Sequence, residues 1–352
     1  MYINAIGTAA PETRYTKAQC LEAFKQSAWF SKLDVRTRFV ADSVLRRDNG
    51  IEARWLALDS LAEAFDIDPD TLAARFARHA PRLAARAVSQ ALAPAGFSPR
   101  SIDAIVVSTC TGYLCPGLSG YVIEALGLRS DIQAFDLVGH GCGAAVPNLL
   151  LGRALLESGA ADRVLSVCVE VSSAAMYLDD DPGVIISACL FGDGAGAAVL
   201  SRDPAATQRN IAWKDSASVI DPAFREALRF EHRGGMLRNI LTRTVPGLAA
   251  EYAAKVLDQV LERSALERSA ISTWIMHAGG RDVLCAMEKR LQLQPVNLRH
   301  SAEMLYEYGN LSSAFVYFVL DAALRSGAVG GWWWLSSFGA GFSCYGALLE
   351  VH

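Results

Sequence analysis

One separation recurs along this chain and constrains its fold more than any other feature. The segment Ser101-Ile-Asp-Ala-Ile-Val-Val-Ser opens an apolar run, and Ser269-Ala-Ile-Ser-Thr-Trp-Ile-Met opens another 168 residues later. Ala154-Leu-Leu-Glu-Ser-Gly-Ala and Ala322-Ala-Leu-Arg-Ser-Gly-Ala stand at the same separation. Each closes an apolar helical stretch and leads into a further run, Arg163-Val-Leu-Ser-Val in one copy and Trp332-Trp-Trp-Leu-Ser in the other. The copies also finish alike, with Phe191-Gly-Asp-Gly-Ala-Gly-Ala-Ala-Val-Leu and Phe338-Gly-Ala-Gly-Phe-Ser-Cys-Tyr-Gly-Ala-Leu-Leu. Short apolar runs alternating with helical segments are the pattern of βαβ units around buried sheets. The chain therefore reads as a duplicated α/β fold, residues 1–205 forming one half and 206–352 the other. The segment before Ser101, with helical periodicity over Thr71 to Leu92, reads as an added layer or lid.

The repeat has a chemical consequence. It places Cys142 opposite Asn310, each following a glycine at the start of its copy's long helix. A pseudo-twofold axis would aim both helix starts at a common centre, together with the strand end that carries His277. Cys142 lies in Leu137-Val-Gly-His-Gly-Cys-Gly-Ala-Ala-Val, a strand turning sharply into a helix. There a thiol meets the positive end of the helix dipole, which favours the thiolate that attacks acyl groups. Flanking glycines admit a substrate carbonyl and free backbone N–H groups for an oxyanion. Read alone, Cys142 is equally a buried small hydrophobe, His277 in Trp274-Ile-Met-His-Ala-Gly-Gly a strand-end residue, and Asn310 in Tyr308-Gly-Asn-Leu-Ser-Ser-Ala a helix cap. Read together, an amide and an imidazole form a site for a developing enolate oxygen beside a nucleophile. That suits carbon–carbon bond formation better than hydrolysis, since no Asp or Glu accompanies either motif as a base for water.

Other classes fit less well. Gly139-His-Gly-Cys-Gly-Ala satisfies a loose dinucleotide fingerprint, with Glu170 ending the next strand as a ribose ligand would, but this leaves His277 and Asn310 unexplained. Gly192-Asp-Gly-Ala-Gly lacks the Lys-Ser/Thr of a phosphate loop. A net charge of −4 argues against a nucleic-acid binder. Mean hydropathy is +0.21, yet no run of 18 apolar residues occurs, so no transmembrane segment is expected; Ala144 to Leu156 reads as a buried helix. Eight scattered cysteines without CxxC spacing disfavour a zinc or disulfide scaffold, and no basic segment precedes an apolar one at the amino terminus, so a cytoplasmic protein is expected.

These motifs resemble the type III polyketide synthases, the chalcone-synthase-like family with the thiolase fold, over roughly residues 2 to 350. The resemblance implies a layered αβαβα architecture of pseudo-twofold halves, a homodimer, and catalysis by Cys142, His277 and Asn310. No resident cofactor and no metal are implied; acyl-CoA and malonyl-CoA are substrates. Phe191, in Leu190-Phe-Gly-Asp-Gly, matches the family's gatekeeper between the CoA tunnel and the cavity. Asn239 falls where plant members carry a second gate phenylalanine. In Ser108-Thr-Cys-Thr-Gly-Tyr-Leu-Cys-Pro-Gly, Cys110 would line the cavity and Cys115 would reach toward the partner subunit. Phe230-Glu-His-Arg-Gly-Gly and Gly235-Met-Leu-Arg-Asn-Ile-Leu-Thr are similar to bacterial alkylresorcinol and alkylpyrone synthases, which use long acyl starters. Small Ser172, Ala174 and Ala175 on the cavity wall would leave room for such a chain. Arg46, Arg47 and Arg54 are candidates for the CoA phosphates. Ketoacyl-ACP synthase III shares the Cys-His-Asn set, but typically carries His-Gln-Ala-Asn and Gly-Asn-Thr-Ser where this chain has His-Ala-Gly-Gly and Gly-Asn-Leu-Ser. A condensing enzyme of that kind and a non-condensing acyltransferase are the alternatives.

Overall fold

A computed structural model describes residues 1–205 and 209–352. The boundary expected after residue 205 adjoins residues 206–208, which lie outside the described residues. In the first half the strands are β1 (Tyr2–Ala9), β2 (Arg14–Thr16), β3 (Ala53–Trp55), β4 (Ala104–Ser108), β5 (Gln133–Leu137), β6 (Arg163–Glu170) and β7 (Gly194–Ser201). In the second they are β8 (Ile211–Ile220), β9 (Leu228–Arg233), β10 (Met236–Leu241), β11 (Ile271–Met276), β12 (Gly331–Gly339) and β13 (Ser343–Val351).

Among the described residues nine strands form one sheet in the order β11-β12-β13-β8-β1-β7-β6-β4-β5. The two halves repeat one pairing scheme. β4 runs parallel to β6, β6 antiparallel to β7, and β7 antiparallel to β1; β11 runs parallel to β12, β12 antiparallel to β13, and β13 antiparallel to β8. The halves join where Tyr2 pairs with Ala212 and Ile3 with Ile211, antiparallel, as a twofold axis between them requires. β6 and β12 begin at Arg163 and Gly331, the separation seen in the sequence. The first hundred residues are more than a lid, because β1 is a central strand, buried over most of its length.

The layers follow from which helix faces are apolar. Helices Ala145–Glu157 and Phe315–Arg325 touch strands of both halves and form the middle layer. Phe315, Val316, Tyr317, Phe318, Val319 and Leu320 are all buried, which an all-round apolar surface requires. Each such side chain contributes about 1.5 to 3 kcal/mol when withdrawn from water. Polar groups carried into this layer are paired: Asn148 donates to the Val167 carbonyl at 2.8 Å, and the Tyr317 and Ser166 hydroxyls meet at 2.8 Å. Helix Pro69–Ala95 covers β1, β6 and β7 from outside, and helix Val245–Ser264 covers β8, β12 and β13. The architecture is the αβαβα sandwich of pseudo-twofold halves.

Parallel strands leave their carboxyl ends on one side, the usual place for a ligand site in such sheets. Thr109 to Thr111 follow β4, Gly139 to Cys142 follow β5, Glu170 ends β6, His277 follows β11 and Ala340 follows β12.

Candidate active site

Cys142 stands in a tight turn, Gly141–Gly143, that feeds helix Ala145–Glu157. Two glycines make the turn possible. Gly141 adopts φ +53°, where a side chain is strained, and a Cβ on Gly143 would sit 3.0 Å from the Tyr345 ring and 3.1 Å from the Gly339 nitrogen. His140 braces the turn through Nδ1, 3.0 Å from the Tyr345 hydroxyl.

The second helix start arrives from the other half. Asn310 is pinned by its backbone: its N–H donates to the Leu190 carbonyl at 2.9 Å and its carbonyl accepts from Gly192 at 3.0 Å, bridging it to Phe191. Its side chain donates from Nδ2 to the Gly279 carbonyl at 3.4 Å and accepts the Ser312 N–H on Oδ1 at 2.8 Å. Gly279 lies two residues beyond His277, so Asn310 ties the β11 loop to the helix start. The Ser312 hydroxyl then reaches the Cys142 sulfur at 3.2 Å. Both helix starts meet at this contact.

His277 is fully buried, its N–H donating to the Ser336 carbonyl at 2.9 Å. The ring stands edge-on to Phe338, centroids 4.9 Å apart, and to Phe315 at 5.4 Å. Neither ring nitrogen has a hydrogen-bond partner. Burial among phenyl rings lowers its pKa to about 3, so the imidazole is neutral. Burial pushes the Cys142 thiol up to about 12, with Glu170 adding to the rise and the Ser312 hydrogen bond opposing it.

A cavity opens onto Cys142. Phe191, Cys110, Ser172, Ala175 and Asn239 line it as expected from the motifs, and His277 and Asn310 do not. Asn239 is no open gate: its Nδ2 donates to the Ser187 hydroxyl at 2.7 Å, closing the β9–β10 hairpin onto helix Pro182–Leu190. Ala174 points elsewhere, packing in the core beside a groove that includes Phe76. Cys115 is exposed and away from the cavity.

The arginines are redistributed as well. Arg54 is buried and donates from Nη1 to the carbonyls of Ala188 at 2.6 Å and Phe191 at 3.2 Å. It caps the carboxyl end of helix Pro182–Leu190, where a cation is favoured, and so holds the backbone of Phe191 instead of facing a phosphate. Arg46 pairs with Asp42 at 2.8 Å on the surface, and Arg47 is exposed.

Sequence reasoning missed two residues. Glu170, fully buried, accepts from the Cys110 N–H at 3.0 Å, the Thr111 hydroxyl at 2.9 Å, the Ser312 hydroxyl at 3.3 Å and the Ser313 hydroxyl. A carboxyl group from outside both motifs thus accompanies the constellation. Burial raises its pKa above the usual carboxylate value, against the opposing hydrogen bonds from Ser313, the Cys110 N–H and Thr111. This network also removes Glu170 from any role as a ribose ligand. Its signal in the sequence was a lone acidic residue ending an apolar strand. Ser312, the second, lay inside the quoted Asn310 motif.

Comparison with known proteins gives this geometry a lineage. Residues 8–219 match the family model of FAE1/type III polyketide synthase-like proteins, and residues 216–350 that of the chalcone and stilbene synthase C-terminal domain. The chain belongs to the type III polyketide synthases. Among curated relatives it is similar to 3,5-dihydroxyphenylacetyl-CoA synthase of Streptomyces toyocaensis, 28% identical over 333 residues, 92% of this chain and 83% of that one. Two solved type III polyketide synthases share the fold. The C-terminal domain of Steely1 from Dictyostelium matches with TM-score 0.87 and 22% identity over 99% of each chain. The 1,3,6,8-tetrahydroxynaphthalene synthase of Streptomyces coelicolor A3(2) matches with TM-score 0.88 and 21% identity over 100% of this chain and 99% of that one. As a type III polyketide synthase the chain is an enzyme that transfers acyl groups in condensations. Among the described residues no helix is long and apolar enough to cross a membrane.

Proposed function

We propose that this polyketide synthase loads an acyl starter from acyl-CoA onto Cys142 and extends it repeatedly with malonyl-CoA. His277 and Asn310 would hold the thioester oxygen of malonyl-CoA while carbon dioxide leaves, and the resulting carbanion would attack the acyl-Cys142 thioester. A neutral imidazole suits this role, since it donates a hydrogen bond without the cost of a buried cation. The extended chain then cyclises and leaves. The observation that carries the reading is the meeting of Cys142 with the Asn310 helix start across the pseudo-twofold axis, through Ser312 at 3.2 Å.

For the starter we favour a long, flexible acyl chain and an alkylresorcinol or alkylpyrone product. A second, apolar pocket supports this; its wall includes Phe24, Leu45, Phe65 and Ile185. It adjoins the active-site cavity through Leu56, Met176 and Ala188, which line both. The name of the Streptomyces toyocaensis relative favours a second reading, a small aromatic product from short units, and the polar Asn239–Ser187 pair on the cavity wall is compatible with it. A series of acyl-CoAs separates the two. With a long-chain starter, each buried methylene adds about 0.8 kcal/mol of binding, so kcat/KM climbs with length and then levels off. Ala188→Phe, which fills the passage, should bring the plateau to shorter chains and spare short starters. Better use of malonyl-CoA alone than of decanoyl-CoA would discard the long-chain starter.

We also propose a homodimer. Tyr113, two residues before Cys115, and Val138 are 81% and 70% exposed and line one groove, which offers an apolar surface to a second copy. Light scattering should give twice the 37.8 kDa chain mass; a monomer mass would refute the pairing.

A further inference from the structure

The first fifty residues carry a face to which the condensing site gives no role. Helix Val35–Arg46 buries Thr37, Ala41 and Leu45 on its inner side and turns Val35 and Phe39, one helical turn apart, toward solvent, where they are 74% and 67% exposed. Just before it, in helix Ala28–Lys32, Trp29 and Phe30 are half-buried. Each ring carries a cation: Lys32 Nζ stands 5.0 Å from the Trp29 centroid, and the Arg38 guanidinium 5.4 Å from that of Phe30. Positive charge gathers here as well. From Lys25 to Arg47 the chain sets six cations against two carboxylates, Asp34 and Asp42, in a protein whose net charge is −4. Asp42 is taken by Lys25 at 3.1 Å and Arg46 at 2.8 Å, while Asp34 accepts the Thr37 N–H at 2.6 Å and caps its own helix. Lys32, Arg36, Arg38 and Arg47 are left without an ion-pair partner among the described residues.

Exposed apolar side chains beside aromatic rings and unpaired cations are the make-up of a helix that lies in a membrane interface. We propose that the outer face of helices Ala28–Lys32 and Val35–Arg46 docks on an anionic bilayer, with Val35 and Phe39 seated below the headgroups and Lys32, Arg36 and Arg47 among the headgroup phosphates. A second copy fits this face less well, because a twofold contact would set its cations against their own counterparts. The inner side of the same layer gives the docking a use. Cys20 and Phe24 of helix Lys17–Gln26, with Ala41 and Leu45 of helix Val35–Arg46, wall the apolar pocket that adjoins the active-site cavity. One layer of helices thus carries the docked face on its outside and the pocket on its inside, so an acyl-CoA dissolved in the bilayer meets the enzyme beside the place its chain would occupy. That use rests on the long-chain reading above; the docking itself does not. Two apolar side chains and a few cations give reversible binding that needs both parts.

The test is cosedimentation of the full chain with two kinds of vesicle, phosphatidylcholine alone and phosphatidylcholine mixed with phosphatidylglycerol. The native chain should pellet with the mixed vesicles, stay in solution with phosphatidylcholine alone, and be released from the mixed vesicles by salt, which screens the cations. Val35→Asp combined with Phe39→Asp should weaken the partition about a hundredfold or more, and Lys32→Gln combined with Arg36→Gln roughly thirtyfold. Arg78→Gln combined with Arg82→Gln removes the same charge from the exposed side of helix Pro69–Ala95 and should leave the partition unchanged. Failure of the native chain to pellet with the mixed vesicles overturns the proposal, as does an equal loss in the Arg78 and Arg82 variant or full binding by the Val35 and Phe39 variant. A native chain that ignores vesicles, together with a Val35 and Phe39 variant of halved mass by light scattering, would give the face to a second copy and overturn it too. The long-chain reading fails separately: a chain that pellets but prefers short starters keeps the docking, and one that uses decanoyl-CoA without pelleting loses it.

Discussion

Cys142→Ala is expected to abolish the acyl-enzyme while leaving slow decarboxylation of malonyl-CoA. In the proposed mechanism the two half-reactions use different groups. Loading needs the sulfur, for which alanine offers no substitute, so intact-mass spectrometry after incubation with acyl-CoA should show the acyl adduct on the native chain and none on the variant. Decarboxylation needs only donors on the thioester oxygen, and His277 and Asn310 are held by contacts that Cys142 does not make: Ser336 and the rings of Phe315 and Phe338 for one, Leu190, Gly192 and Gly279 for the other. Removing a thiol of this size also leaves the helix start intact, since its turn is set by Gly141 and Gly143. An acyl adduct retained by the variant would take the nucleophile's role away from Cys142.

Asn310→Ala should have the second largest effect and the opposite pattern. Loss of one donor from an oxyanion site lowers the rate by about 10²- to 10³-fold, or about 2.7 to 4 kcal/mol, and that loss should fall on carbon dioxide release from malonyl-CoA. Loading should fall much less, because Asn310 reaches Cys142 only through Ser312, whose N–H it holds at 2.8 Å. Measuring decarboxylation and acyl loading on one preparation separates the steps. Equal losses in both would mean that Asn310 is a cap that shapes the turn and nothing more.

The sequence made legible what depends on local pattern. The repeat marked β4 and β6 in one half, and β11 and β12 in the other, as equivalent strands, and each pair runs parallel in the sheet. It also placed Cys142 and Asn310 at equivalent helix starts, and the structure joins those starts through Ser312. What escaped depends on tertiary surroundings. Arg54 follows two arginines in a polar segment and looks like a surface cation, yet the carboxyl end of helix Pro182–Leu190, more than a hundred residues away in sequence, draws it inward. Ala174 shares its short turn with Ser172 and Ala175, but a helical turn sends neighbours in different directions, and only the latter two face the cavity. Glu170 was visible as an acid ending an apolar strand. Its purpose was not, since four of its partners lie on loops after β4 and before helix Phe315–Arg325.

The central claim is that one cavity performs repeated decarboxylative condensation on an acyl group carried by Cys142. Incubating the native chain with an acyl-CoA and carbon-13-labelled malonyl-CoA, and weighing both the products and the carbon dioxide released, tests it most directly. The account predicts a starter lengthened by several labelled two-carbon units, one carbon dioxide for each unit, and no product from Cys142→Ala. Transfer of the acyl group without carbon dioxide, or a single condensation that never repeats, would contradict it.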